Sequence, residues 1–432
     1  MKSACRVRLL PSDRTLRVAV IAASGVVLST VLAHSTDLDF SGTLRGSITD
    51  SPTLASDAQR QAAAEARVWA AKEAFLPTLG FLRERIIDSH VDYSPGFSSS
   101  SPDSTTRHEP HLMAFQATLP VFDGFRRWND LQAAMKKVDA GRYQSIDARQ
   151  QVLLEAISAY LAVIRDRAIV ACRRQQIAAV STITTHTEAS FTTQDVTLAD
   201  VAMSRSRVQA ARAALDQAQA KLQASEIEYA RVVGAKAGAR LSAPPSPDIF
   251  LPRDLDALRR DFLDANPRLA SARLEVEASR HAVKSAMAEL SPKVDLQFTR
   301  SLQTNVTEAY DKVGDTTLKL VAKIPIYTPG TLPGIVVARA ANRQAQYDAI
   351  DLERRSLAQA EALYHQRKSA LSALAQARKR LALMRDAVSA RHAEQMAGYG
   401  TVTVRLDAEN ETAEAAIAVQ TLSYDAEIGR AH

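Results

Sequence analysis

The sequence predicts a mainly α-helical protein with a small β part, in which one structural unit is present twice. Only 5% of the 432 residues are aromatic and only 15 are glycine, a composition typical of long helices rather than of a β-sandwich or a doubly wound sheet. Landmark residues recur in the same order in the two halves of the chain. Four short segments also alternate apolar and polar residues, which is the period of a β-strand.

The N-terminal residues 1–33 are predicted to be a secretory signal peptide. Five basic residues precede or enter an uncharged apolar stretch that runs from Val18 to Leu32, and Val31 and Ala33 place small residues at the −3 and −1 positions of a cleavage site. The alternative is an uncleaved membrane anchor, since the apolar stretch is only slightly too short to span a bilayer. In either case the sequence indicates a protein that leaves the cytoplasm.

The charge balance argues against a nucleic-acid-binding protein. The whole sequence has a formal net charge of +6, and residues 1–33 hold five basic residues and one acidic residue, a net of +4, so the rest of the chain is near +2. The basic character lies largely in the predicted signal peptide, and we expect no nucleic-acid partner. Beyond residue 33, Cys172 is the one cysteine of the sequence, so no disulfide framework or Cys/His metal spacing is present.

The repeat is seen in three kinds of landmark. Pro52 and Pro77 are 25 residues apart, as are Pro267 and Pro292, and the two pairs are offset by 215 residues. Leu119-Pro120-Val121-Phe122-Asp123-Gly124 corresponds to the segment beginning Ile324-Pro325 at an offset of 205, and Leu198-Ala199-Asp200 corresponds to Arg405-Leu406-Asp407 at an offset of 207. Their common order and similar offsets indicate a duplication.

The duplication predicts the domain organisation. We interpret residues 34–234 as the first structural repeat and residues 255–432 as the second. Between them, residues 235–254 contain four prolines and few apolar residues, which is typical of an extended linker.

Each repeat is predicted to open with a helix and continue with a pair of strands. Pro52 and Pro267 suit the first turn of a helix, where a missing N–H costs nothing. The alternating segments that follow have about the length of a tilted transmembrane strand; they are residues 78–88, 113–119, 294–299 and 317–324. Polar connections are expected at 94–109 and 303–315. The alternative for each pair of strands is a hairpin of a soluble protein, with one face exposed to water.

Long helical hairpins are predicted to complete each repeat. Residues 127–185, 198–233, 335–396 and 405–427 contain no proline and few glycines. Leu215, Leu222, Ile227 and Tyr229 are expected to be packed against neighbouring helices. The breaks at Thr192–Asp195 and Gly398–Thr401 predict two hairpin tips, which should lie at the same end of the molecule, opposite the strands.

If the strands cross a membrane, they cannot do so in a single chain. Four strands cannot close a barrel, and a bilayer tolerates no open sheet edge. Small barrels need about eight strands. The barrel must therefore be shared between chains.

The order and spacing of these features resemble the TolC family of outer-membrane efflux proteins over nearly the whole chain after residue 33. The fragments that carry the resemblance are Asn266-Pro267-Arg268-Leu269, Leu119 to Gly124, and Thr401 to Asn410 leading into Glu414. The resemblance implies a homotrimer in which each chain gives four strands to a 12-stranded outer-membrane barrel and its helices to a long periplasmic tunnel. It also implies a periplasmic adaptor and an inner-membrane pump as partners, in drug efflux or type I secretion.

The chain departs from the family pattern at its tips. Gln194 stands where the first tip usually carries glycine, and Gly400 stands where the second tip usually carries a basic residue. Of two acidic positions often found near the second tip, Asp407 matches one and Val404 occupies the other. These departures put an acidic selectivity ring in question.

The candidate site residues lie at the predicted tips. We expect Asp407, with Arg405 and Asp200, at the pore entrance, where three-fold symmetry would repeat each charge. The alternatives are an interhelix salt bridge for Asp407 and a helix N-cap or first-turn role for Asp200. Gly398 and Gly400 are expected to adopt positive φ, and Thr401 to cap the last helix. The residues expected to contact an adaptor are Gln194, Asp195, Gly398, Tyr399, Gly400 and Thr401.

No enzyme active site is indicated by the sequence. It contains no Ser/His/Asp or Cys/His constellation and no phosphate-binding glycine-rich loop, so neither a cofactor nor a metal is expected. His108 and His111 lie three residues apart, but in a predicted loop rather than on a helix face. Two rival interpretations stay open here: a periplasmic coiled-coil adaptor or scaffold without a pore, and an inner-membrane protein with a periplasmic stalk. The sequence does not identify the cargo.

Overall fold

The computed structural model describes residues 40–85, 89–93, 104–108, 111–242, 254–307 and 310–431. All of them belong to one compact unit, Thr36–His432. The predicted signal peptide lies outside the described residues, as do parts of the predicted loops and of the linker.

Helices make up most of the described chain, as the composition predicts. Short helices alternate with very long ones, and the order of short helices, strands and two longer helices is found in both halves. The boundaries of the two repeats stay a prediction. The helices are α1 (Phe40–Thr49), α2 (Pro52–Glu73), α3 (Arg126–Thr192), α4 (Leu198–Val233), α5 (Leu255–Ala265), α6 (Pro267–Ala288), α7 (Thr331–Met396) and α8 (Val402–Ala431).

The strands of the described residues form a four-stranded and a two-stranded sheet. The four-stranded sheet is antiparallel throughout and has the order β1-β4-β5-β6, so β4 and β5 join the two halves of the chain. The strands are β1 (Thr78–Arg85), β2 (Ser89–Tyr93), β3 (Ser104–His108), β4 (His111–Phe122), β5 (Lys293–Thr307) and β6 (Tyr310–Lys323).

The four strands predicted from alternation are confirmed, but the connections between them were predicted wrongly. Residues 303–315 are largely strand, because β5 extends to Thr307 and β6 begins at Tyr310. Residues 94–109 include β3, which pairs with β2 in the smaller sheet. Both segments are rich in polar residues, and a strand that is polar on both faces gives no alternation by which to recognise it.

The prolines predicted at helix starts occupy the first helical turn. Ser51 caps α2 by accepting a hydrogen bond from the Leu54 N–H. Asn266 caps α6 by accepting from the two backbone N–H groups that follow Pro267. An N-cap side chain replaces an intrahelical acceptor that these N–H groups lack, so both helices begin where the sequence predicts.

The longest helices, α3 and α7, contain 67 and 66 residues. At 1.5 Å per residue each extends about 100 Å. The predicted end of α3 was too early, because the helix continues past residue 185 to Thr192. No helix of the described chain combines the length and the apolar character needed to cross a bilayer.

An aromatic core joins the first long hairpin to the start of the linker. Tyr160 of α3 and Tyr229 of α4 are fully buried. The Tyr229 hydroxyl shares a 2.9 Å hydrogen bond with the Thr43 hydroxyl of α1, and the Tyr160 hydroxyl donates to the Ser242 carbonyl at 2.7 Å. Because Thr43 of α1 and Ser242 both contact this core, it holds α1 and the segment that ends at residue 242 against α3.

The prediction that α4 packs through four apolar residues was partly wrong. Tyr229 is buried and Leu222 packs against the same core, but Ile227 is 71% exposed. Leu222 and Tyr229 are seven residues apart and share a helix face, whereas Ile227 is two residues from Tyr229 and so lies about 200° around the helix.

Candidate functional site: the hairpin tips and the four-stranded sheet

The two hairpin tips lie at the same end of the described unit. Val180 and Ile183 of α3 pack with Val208 of α4 and with Val402 and Leu406 at the start of α8. All five residues are within a few helical turns of a tip. Since the sheet lies at the other end of α3 and α7, the tips are opposite the strands, as the sequence predicts.

The first tip is a short turn that requires a left-handed residue. Gln194 has a φ of 65°, a conformation unfavourable for most residues with a side chain. The Thr193 hydroxyl donates to the Asp195 carboxylate at 2.5 Å. The left-handed backbone explains why glycine would suit the position of Gln194, and its amide side chain is exposed at the end of the hairpin.

Asp200 takes part in a capping box at the start of α4. The Asp200 N–H donates to the Thr197 hydroxyl oxygen at 3.2 Å, and the Asp200 carboxylate accepts from the Thr197 N–H at 3.0 Å and from its hydroxyl at 2.7 Å. The hydrogen bonds from Thr197 lower the pKa of the Asp200 carboxyl. Asp200 therefore has the contacts of a first-turn acid, which was the predicted alternative to a role at the pore entrance.

The second tip uses its two glycines for different reasons. Gly398 has a φ of +81°, as predicted. The same prediction was wrong for Gly400, which does not have positive φ. A Cβ at Gly400 would instead lie 3.1 Å from the Gln395 backbone nitrogen, so glycine permits a close backbone approach there. Tyr399 between them is 90% exposed, and Thr401 immediately precedes α8.

Asp407 pairs with a residue that the sequence analysis did not identify. Its carboxylate accepts a 2.8 Å hydrogen bond from Arg207 Nη2 of α4, and both side chains are about half exposed. Arg405 is not its partner within the chain, since Arg405 Nη1 donates to Gln395 Oε1 of α7 at 2.9 Å. Val404, at the other position where an acid is common, is 40% exposed.

Further polar contacts tie α8 to α3. Arg173 Nη1 donates to Glu414 at 2.6 Å, and the nearly buried Gln176 donates to Asn410 at 2.6 Å. The Arg165 guanidinium lies over the Tyr424 ring at 4.4 Å from its centroid. These pairs are separated by more than 230 residues in sequence, so no local pattern could have revealed them.

The four-stranded sheet has an apolar and a polar face. Alternate residues of a strand point to opposite faces. The register places apolar residues of neighbouring strands beside one another on one face and polar residues on the other. Among the most exposed members of the apolar face, Phe81 is 71% and Leu320 66% accessible. The apolar face carries Leu79, Phe81, Phe115, Leu296, Phe298, Leu318 and Leu320, and the polar face carries Gln116, Thr118, Gln297, Thr299, Ser301, Thr317 and Lys319.

Comparison with known proteins relates this architecture to export channels. Residues 44–235 match the family model described as outer membrane efflux protein. The chain is also 26% identical, over 429 residues, to outer membrane efflux protein BepC of Brucella suis biovar 1 (strain 1330), a match that covers 97% of this chain and 89% of that protein. The chain is therefore similar to outer membrane efflux proteins over nearly its whole length. The predicted resemblance is thereby confirmed.

Solved structures share the fold of this chain. It superposes on the Campylobacter jejuni CmeC outer membrane channel with a TM-score of 0.78, covering 99% of this chain and 92% of that one at 11% identity. For CusC the TM-score is 0.77 at 14% identity with 90% of each chain covered, and for VceC of Vibrio cholerae it is 0.75 at 16% identity with 90% and 94% covered. The predicted mainly helical fold with a small β part is confirmed.

The chain functions as an outer-membrane exit duct, as the sequence predicts, and the family that it matches is one of channels rather than enzymes. The described residues contain no group of three or more potential metal ligands. Cys172 is half-buried on α3, and burial raises the pKa of its thiol. The side chain of His108 lies outside the described residues, so the predicted absence of a site at His108 and His111 stays a prediction.

Proposed function

We propose that three copies of this chain assemble into one duct, with a shared β-barrel in the outer membrane and a helical tunnel in the periplasm. The observation that carries the proposal is the pair of open edges on the four-stranded sheet. β1 and β6 each pair on one side only among the described residues. In a bilayer such edges must be closed, because no water is available to satisfy the backbone.

The direction of the edge strands suits closure by copies of the same chain. Each neighbouring pair in the order β1-β4-β5-β6 is antiparallel, so β6 runs antiparallel to β1. A copy placed beside the first would therefore continue the antiparallel pattern. Two copies would give eight strands, whose interior side chains fill the barrel, whereas three copies give twelve and leave room for a channel.

The two faces of the sheet fit the two sides of such a barrel. The apolar face would contact the hydrocarbon of the outer membrane, and the polar face would line the lumen. This assignment accounts for the exposure of Phe81 and Leu320 in a single chain. The rival interpretation as a soluble hairpin would require an equally large apolar surface to be covered by another protein.

Exposed apolar side chains on the helices support assembly as well. Along α7, Ile335 and Leu374 are buried, but Val337 is 67% and Tyr347 71% exposed. On α2, Trp69 is 65% exposed. Surfaces of this kind on long helices are typical of side-by-side helix packing between chains.

The hairpin tips would form the periplasmic entrance and meet an adaptor protein, which would connect the duct to an inner-membrane pump. The exposed turn residues Gln194, Tyr399 and Thr401 offer a shape for an adaptor to recognise. The rival interpretation as a pore-free adaptor predicts one helical hairpin flanked by β modules. The two long hairpins and the four-stranded sheet favour the duct.

Cross-linking of the strand edges tests the assembly. We expect cysteine pairs placed in β1 and β6, in a Cys172→Ala background, to yield a covalent trimer on oxidation in outer membranes. The matched control is Leu79→Cys with Ala117→Cys, which face each other within one chain and should give monomers only. Trimers absent from every β1–β6 pair, with the control pair oxidised, would contradict the shared barrel.

Asp407 at the entrance gives a second prediction. Three copies would place three carboxylates around the axis, and a multivalent cation would block current by binding them. We expect Asp407→Ala to weaken such block about 150-fold, since the trimer loses three charge interactions of roughly 1 kcal/mol each. Asp216→Ala, a change to an exposed acid on α4 distant from the tips, should leave block unchanged. Unaltered block in Asp407→Ala would contradict a pore role, and the role of Asp407 would then be its salt bridge with Arg207.

A further inference from the structure

On the apolar face of the four-stranded sheet, basic residues lie at the strand ends that are farthest from the helices. Following the register, the row Leu79, Ala117, Phe298 and Leu318 is wholly apolar. The next rows outward introduce Arg300, then Arg83, and finally Arg85, His111 and Lys312. We call Arg83, Arg85, Arg300 and Lys312 the basic belt.

The charges of the outer half of the sheet are sorted by face. Glu84 and Asp315, the nearby acids, are on the polar face, since each is an odd number of residues away from the basic belt along its strand. Among the described residues, none forms a salt bridge with Arg83, Arg300 or Lys312. Arg83, Arg300 and Lys312 are therefore on the apolar side without a salt bridge to any carboxylate of the described residues.

An open groove lies directly beside Arg300. It has a volume of about 430 Å³ and is lined by the apolar residues Phe81, Met113, Phe115 and Leu302, by Gly314, and by the polar residues Ser301, Asp315 and Thr316. A Cβ at Gly314 would meet no atom within 4 Å, so the floor of the groove is open there. The groove has polar as well as apolar walls and lies beside the Arg300 guanidinium, so its apolar side offers space for an acyl chain whose anionic headgroup contacts Arg300.

The position of the belt matches the depth of a headgroup layer. Rows on one face are spaced by about 6.7 Å along a strand, and four steps separate the row of Val294 and Ala322 from that of Arg83. With the strand tilt usual in barrels, the apolar band is about 15 Å tall up to the row of Arg300, where the cations begin, and about 20 Å up to that of Arg83. Long arginine side chains can extend from the band edge toward the headgroups.

We propose that the basic belt and the groove beside Arg300 bind a phosphorylated acyl lipid of the outer leaflet. The guanidinium groups would contact the phosphate, for which their bidentate geometry is suited, and an acyl chain would occupy the groove. The inference rests on the proposed function, since it requires the sheet to cross the outer membrane with the helices in the periplasm. Three symmetric sites per duct follow.

Lipid binding to the purified full-length trimer in detergent tests the proposal. The probes are diphosphorylated lipid A, its dephosphorylated form and inorganic diphosphate, with bound lipid counted by native mass spectrometry. A cation near an anionic lipid surface contributes about fivefold to binding, so Arg83→Gln with Arg300→Gln should weaken binding of the diphosphorylated lipid about 30-fold. Arg83→Lys with Arg300→Lys should recover only part of the affinity, because lysine restores the charge but not the bidentate geometry.

The matched control is Lys319→Gln with Lys323→Gln, which removes the same charge from the polar face. We expect that pair to bind like the wild type, the dephosphorylated lipid to bind weakly, and inorganic diphosphate not to compete at concentrations equal to the lipid. Equal weakening in both double variants, equal binding of the dephosphorylated lipid, or full competition by diphosphate would overturn the lipid site.

Channel recordings on the same samples separate this inference from the proposed function. A conducting trimer that shows no preference for the phosphorylated lipid would overturn the lipid site alone. A wild-type protein that forms neither trimers nor channels would overturn both.

Discussion

His281 of α6 is held near the neutral state by its surroundings. Burial lowers the pKa of the imidazole, and the positive charges of Lys284 and Lys136 lower it further, while Glu277 opposes them. Its Nδ1 lies 3.2 Å from the Asn129 amide oxygen of α3. Protonation would therefore add a charge at the contact between α3 and α6, where the nearest charges are mostly positive.

The expected result is a loss of stability as the pH falls below the ordinary histidine pKa of about 6.5. In this range the unfolded chain binds a proton more readily than the folded one, so the free energy of unfolding decreases until the pH passes the lowered folded-state pKa. His281→Asn should lose less stability between pH 7.5 and 5.5. Denaturant unfolding followed by helical circular dichroism would measure this, and equal losses in both proteins would contradict it.

Some properties of the tip residues could be predicted from the sequence and others could not. Gly398 was predicted to have positive φ because glycine at a helix end favours it, and this is confirmed. Gly400 fulfils a steric requirement set by Gln395, which only the folded turn creates. Arg207 reaches Asp407 across 200 residues of sequence, so its partnership depends on how α4 and α8 pack and could not be predicted locally.

At the scale of elements, the beginning of the linker is held against the first long hairpin. Arg167 Nη1 donates to the Gly238 carbonyl at 2.7 Å and to the Ala239 carbonyl at 3.2 Å, while its Nη2 donates to Glu226 at 2.8 Å. Carbonyls outside regular structure need such donors. Arg167 therefore connects the linker to both α3 and α4.

We expect Arg167→Met to make residues 235–242 more accessible to proteases. Hydrogen bonds from a charged donor contribute about 2 kcal/mol, so local opening and cleavage within residues 235–242 should increase about 30-fold. Arg231→Met provides the control, because Arg231 pairs with the exposed acids Glu228 and Glu155 on the hairpin surface. Limited proteolysis with mass analysis would measure it, and equal cleavage in the two variants would contradict the role of Arg167.

Elements with a strong local signal were predicted well. The long helices follow from long stretches that have no proline and few glycines, and the starts of α2 and α6 follow from Pro52 and Pro267. The extension of β5 and β6 was missed, because their outer residues are polar on both faces. The short helices α1 and α5 were also missed, although Asp254 caps α5 in a recognisable position. Short elements depend on tertiary packing more than on propensity.

At the scale of the molecule, one chain leaves surfaces that only other chains or lipid can cover. The open edges of the sheet, its apolar face and the exposed side chains of α7 all have this character. The requirement for a shared barrel could be inferred from strand number alone, because closure is a property of any membrane barrel. Which residues meet across the chain boundary could not, because strand register between copies is not encoded in a local pattern.

The most direct test of the account is to extract the protein from outer membranes in detergent, measure its mass and record its conductance in planar bilayers. We expect a mass of three chains and stepwise conductance from that species. A soluble periplasmic monomer without conductance would contradict the shared barrel and the exit duct together.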